Sequence, residues 1–97
     1  MARKRTRPAL AANDKVGERL RATREALGLN PIDVCRDLGF AQNTYSQWES
    51  GDRRPNLDDM ISFAENYGVP LDWIYRGVPS GLPRDLASKI LREIRTA

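Results

Sequence analysis

At 97 residues with 40% hydrophobic content, the chain can bury one small core and holds little stability in reserve. No apolar run is long enough to span a membrane, and no apolar stretch follows the basic start as it would in a secretory signal, so a soluble, cytoplasmic protein is expected. A lone Cys35 and the lack of histidine exclude an internal disulfide, leave no zinc ligand set and remove the usual general base near neutral pH, so no metal, cofactor or catalytic residue is expected.

The formal charge of +3 is unevenly placed. Residues 1–13 carry Arg3, Lys4, Arg5 and Arg7 and no acid, a charge of +4, which leaves residues 14–97 at −1. With Pro8 and no periodicity, this segment reads as a disordered basic arm suited to phosphates or a minor groove. The first helix is predicted over 14–27. Val16, Leu20, Thr23 and Leu27 share one face, Arg19, Arg21 and Glu25 point elsewhere, Asn13 or Asp14 caps the start, and Gly28 stops the end.

A short second helix is predicted over 31–38, capped by Asn30 and opened by Pro31, with Val34, Cys35 and Leu38 inward. Cys35 reads as a small core residue. Gly39 makes a tight turn and Phe40 anchors it, and a third helix follows over 42–50. Tyr45, Trp48 and Glu49 turn inward there. Gln42, Asn43, Ser46 and Gln47 turn outward, and with Thr44 they can both donate and accept hydrogen bonds, as the reading of base edges requires. Ala41 at the cap position offers no acceptor, which costs about 1 kcal/mol relative to Ser or Thr.

Arg53 and Arg54 lie in a basic loop between Gly51 and Pro55. Asn56 can cap a fourth helix over 57–67 whose Leu57, Met60, Ile61, Phe63 and Ala64 face the core; a short fifth helix over 71–75 lays Leu71, Trp73 and Ile74 on that core as a lid. After the Gly- and Pro-rich 77–83, a last helix over 84–95 carries an apolar stripe of Leu86, Ile90, Leu91 and Ile94. That stripe must be covered, by the same domain, by a second copy in a dimer, or by a partner protein. The organisation expected is a basic arm over 1–13, a DNA-binding domain over 14–77, and a linker with a dimerisation or docking helix over 78–97.

From Val16 to Gly77 the chain resembles the Xre family of helix-turn-helix regulators, the lambda-repressor-like and Cro-like domains. The resemblance rests on VGERLRATREALGL, on the helix-turn-helix from Pro31 to Glu49, and on ESGDRRPNLDDMISFAENYGVPLDWIYRG. It implies an all-α fold of five helices, to which the last amphipathic helix is added. It also implies an ion pair between Arg24 and Glu49, base readout by Gln42, Asn43, Thr44, Ser46 and Gln47, and phosphate contact by Arg53, Arg54 and Asn56. Two departures stand out. Pro31 replaces a Gln that touches phosphate in the family, and Asp52 puts an acid in a loop that is usually more basic; both shift the burden of backbone affinity toward the arm. The function implied is that of a dimeric repressor on a palindromic double-stranded operator. The alternative is an antitoxin or adaptor whose last helix docks a protein. Asp58 and Asp59, the nearest thing to a carboxylate pair, point in different directions as helical neighbours.

Overall fold

The computed structural model describes residues 9–96, without the side chain of Thr96; the basic residues Arg3, Lys4, Arg5 and Arg7 lie outside the described residues. A single 3₁₀ turn, Ala9–Ala11, leads into α1 (Asn13–Ala26), followed by α2 (Pro31–Leu38), α3 (Gln42–Ser50), α4 (Leu57–Tyr67), a π-helical turn (Asp72–Arg76) and α5 (Arg84–Thr96). No strand occurs among the described residues. None of the helices is long and apolar enough to cross a membrane.

The punctuation of the sequence accounts for three of the helices. Asn30 and Asp33 form a reciprocal capping box at the start of α2, with Asn30 N–H donating to Asp33 Oδ2 at 2.9 Å, and Pro31 takes the first helical position, where no donor is lost. Asn56 caps α4 by accepting from the Asp59 N–H at 2.9 Å. α3 starts after Ala41 without a side-chain cap. α1 differs from expectation: it starts one residue earlier, after Ala12, so neither Asn13 nor Asp14 serves as its cap.

α1 is the central element and touches the 3₁₀ turn, α3, the π-helical turn and α5. Because it is covered on several sides, it buries more than the single stripe of Val16, Leu20 and Thr23; Gly17, Arg19, Ala22 and Arg24 are buried as well. Arg19, expected to point away, is only 6% exposed. Its Nε donates to Ile74 O at 3.0 Å, its Nη2 donates to Leu10 O, and its guanidinium lies over the Trp73 ring at 5.9 Å. Beside it, Thr23 Oγ1 donates to Arg19 O at 2.7 Å and accepts from Trp73 Nε1 at 2.9 Å. Every acceptor for this buried cation is thus a carbonyl supplied by a remote segment, the arrangement that makes its burial tolerable.

Two further corrections concern α4 and the lid. Met60 and Phe63 are fully buried, whereas Leu57 and Ile61 are 57% and 37% exposed. The inward face follows Met60, Phe63, Ala64 and Tyr67; Ile61 sits about 100° around from Met60, and Leu57 belongs to an exposed first turn. The lid is a π-helical turn displaced by one residue from the expected helix, and it buries the consecutive Trp73 and Ile74. Cys35 is a free, buried thiol in the core, and burial raises its pKa.

Candidate nucleic-acid interface

α2 and α3 are separated by Gly39, Phe40 and Ala41, and an aromatic cluster packs this turn against α3. Phe40 meets Trp48 edge-on at 5.2 Å, and Tyr45 meets Trp48 edge-on at 5.8 Å. The inner face of α3 is therefore committed: Tyr45 and Trp48 are each 1% exposed. Burial, and then the Glu49 carboxylate, push the Tyr45 phenol far above its ordinary pKa, which keeps it neutral.

The far end of α3 is held against α1 by an ion pair and by a close backbone approach. Arg24 Nε donates to Glu49 Oε2 at 2.7 Å and its Nη2 to Oε1 at 3.0 Å, while its Nη1 donates to Leu29 O at 2.8 Å. This two-pronged bond raises the Arg24 pKa against the opposing pull of burial. At Gly17, a Cβ would meet the carbonyl oxygens of Trp48 and Glu49 at 2.5 and 2.6 Å, so only glycine lets the helices come this near.

With that face fixed, the opposite one is free. Gln42, Asn43, Ser46 and Gln47 are exposed and Thr44 is half-buried, so the outer surface of α3 carries uncharged side chains that both donate and accept. Arg53, next to the end of α3, is exposed, and its side chain makes no ion pair among the described residues. Its backbone N–H donates to Gln47 O at 3.1 Å, which ties the loop to the helix.

Arg54 and Asn56, grouped with Arg53 by sequence, have other occupations. Arg54 turns inward: its Nη1 donates to Ala11 O at 2.6 Å and its guanidinium lies 5.3 Å from the Tyr75 ring centre. Asn56 spends its side chain on Asp59, donating from Nδ2 to Oδ2 at 2.6 Å while accepting at Oδ1. Two adjacent arginines thus have opposite fates, and nothing in the sequence distinguishes them. Arg19 had a signal: it lies three residues from Val16 and four before Thr23, on the apolar stripe.

The stripe on α5 is largely spent within the chain. Ile90 is 1% exposed in the core, and Leu86 and Ile94 are half-buried against it, so most of the stripe is covered by the chain itself. Leu91 alone of the four stays exposed, at 51%. α5 packs along α1, and Ile90 and Ile94 lie near Trp73 of the π-helical turn.

Comparison with known proteins is consistent with this geometry. The helix-turn-helix family model matches residues 20–74, more than half of the chain and all of α2, α3 and α4. The chain belongs to this helix-turn-helix family, the Xre or lambda-repressor-like group. Among curated members, it is 31% identical over 72 residues to the cryptic phage CTXphi transcriptional repressor RstR of Vibrio cholerae, covering 74% of this chain and 65% of that protein. It is 30% identical over 76 residues to the uncharacterized HTH-type transcriptional regulator YobD of Bacillus subtilis, covering 78% and 63%. A transcriptional regulator in the ATPase CF(0) region of Rhodospirillum rubrum, also uncharacterized, is 29% identical over 69 residues, covering 71% and 64%. The chain therefore spans just under two thirds of the length of these relatives. A comparison with solved structures finds no match.

Proposed function

We propose that this chain binds double-stranded DNA in a sequence-specific manner and regulates transcription, as a repressor, by setting α3 into the major groove. The observation that carries the reading is the division of α3: a locked apolar and ionic inner face, and an exposed outer face of Gln42, Asn43, Ser46 and Gln47 that no other described residue covers. Gln and Asn suit paired hydrogen bonds to adenine N6 and N7. Arg53 supplies a phosphate contact at the end of the helix, and Arg3, Lys4, Arg5 and Arg7 supply further cations. The likeness to a protein named a transcriptional repressor supports the sign of regulation.

One helix of nine residues reads too few base pairs to single out one site in a genome, so the regulator acts as a two-fold dimer with half-sites about one helical turn, ~34 Å, apart. Leu91 stands at the rim of an apolar hollow of about 220 Å³ lined with Trp73, Leu82, Ile90 and Ile94, and a second copy covers it. Enrichment of random duplexes on the purified protein tests the reading. A two-fold symmetric motif is expected, and the absence of any enriched motif would refute it. Light scattering tests the dimer separately: Leu91→Asp should yield a monomer, and a wild-type chain that is already monomeric on its operator removes that part.

A further inference from the structure

The turn Ala9–Ala11 touches α1 and the π-helical turn, and guanidinium groups hold it there. None of its three residues is buried, and Leu10 is 59% exposed. Yet two consecutive carbonyls are gripped from distant parts of the sequence. Arg19 of α1 donates to Leu10 O, and Arg54 donates to Ala11 O at 2.6 Å and to Asn13 Oδ1 at 3.4 Å. The second grip is braced. Arg54 lies over Tyr75, whose hydroxyl donates to Pro55 O at 2.9 Å, so the π-helical turn, the loop and the start of α1 are fastened at one point.

That point adjoins the proposed reading helix. The Arg53 N–H bond to Gln47 O ties the loop to the last turn of α3. On the other side of the loop, a Cβ on Gly51 would lie 2.9 Å from Asp14 Cα, so the start of α1 and the end of α3 are in backbone contact. The segment immediately before the gripped carbonyls carries four cations and no acid.

We infer that Arg54, assisted by Arg19, is a positioning residue for DNA binding: it fixes the root of the basic N-terminus beside the end of α3. The four cations are thereby confined to phosphates flanking the bases that α3 reads. Confinement raises their effective concentration at those phosphates without any new contact. This rests on the regulator reading, and it gives Arg54 a role through the arm in place of a phosphate contact of its own.

A double-mutant cycle on the full chain decides it. Duplex affinity is measured over a salt series for the wild type, for Arg54→Met, for a neutral arm (Arg3→Gln, Lys4→Gln, Arg5→Gln and Arg7→Gln together), and for the two combined. Neutralising the arm should flatten the salt slope by up to about 3 to 4. Arg54→Met should weaken the wild-type arm about 5- to 10-fold and the neutral arm less than about 2-fold, the signature of coupled sites. Equal loss in both backgrounds overturns the inference, because Arg54 would then touch phosphate itself or act on the fold, and no loss in either overturns it too. Arg54→Lys, which keeps the charge without the planar guanidinium that lies over Tyr75, should behave as Met does. Amide exchange in the free protein supplies a readout without DNA: residues 10–13 should exchange faster in Arg54→Met while α2 and α4 are unchanged. Unaltered exchange at 10–13 rules out the clasp even where DNA binding is intact. Failure of the wild type to bind any duplex would instead fell the regulator reading, and the role of the arm with it.

Discussion

The two faces of α3 are built on opposite principles. Inside, Tyr45 and Trp48 are held by aromatic edges, Glu49 by a bidentate guanidinium, and the Trp48 and Glu49 carbonyls by a glycine that admits them closely. Outside, Gln42, Asn43, Ser46 and Gln47 are exposed and contribute little that the fold requires. Stability thus rests on one side of the helix and the proposed recognition on the other, so under that reading the outer residues can change without cost to the scaffold that aims them. The comparison can be broken from either side.

The largest effect should come from the inner face. Glu49→Ala leaves the Arg24 cation in a largely buried site without its carboxylate, and should cost about 3 to 5 kcal/mol in chemical denaturation. Replacing both partners, Arg24→Met with Glu49→Leu, should recover much of that loss, because no charge is then stranded. A single-variant loss below about 1 kcal/mol would mean that the ion pair does not hold this face.

Gly17→Ala comes next. Helix propensity alone favours alanine by about 1 kcal/mol, yet the new methyl would press on the Trp48 and Glu49 carbonyl oxygens. Overpacking of this kind costs about 1 to 3 kcal/mol and should win, giving a net destabilisation. A more stable variant would show that α1 and α3 can separate freely, and that the tight approach is incidental.

How much of this was legible from sequence depends on where the determining contacts lie. The limits of α2, α3 and α4 agree with expectation because Asn30, Pro31, Gly39, Gly51, Asn56 and Gly68 mark them locally. Tyr45 and Trp48 could be placed inward because helical spacing is a local property. The fate of Arg54 could not, since its acceptor, Ala11 O, belongs to a segment 43 residues away. Periodicity also assumes one buried face, which fails for α1 because it is enclosed on several sides. On α4 it assigned Leu57 and Ile61 to the core when the helix buries Met60 and Phe63 alone of its large residues.

On the outer face the expected changes are in preference, not in stability. Gln47→Ala should shift stability by less than about 0.5 kcal/mol while relaxing selection at one base position by about 1 to 3 kcal/mol. Arg53→Ala should weaken all duplexes alike and lower the salt slope by about 1. The two are best run together, because the reverse pattern would exchange the assigned roles of base reader and phosphate clamp.

The smallest change probes the one place where the two faces meet. α3 begins at Ala41 with no side-chain acceptor for the first-turn N–H groups, although the other two helices of this region, α2 and α4, both start on a capping asparagine. Ala41→Ser should add about 1 kcal/mol to stability by bonding one of those donors. Because the cap acts on the backbone and leaves Gln42 to Gln47 in place, the enriched base motif should stay the same. Were the motif to shift, the start of α3 would be part of the readout and not only of the scaffold, and the clean division of the helix into a structural and a reading face would fail at its first turn.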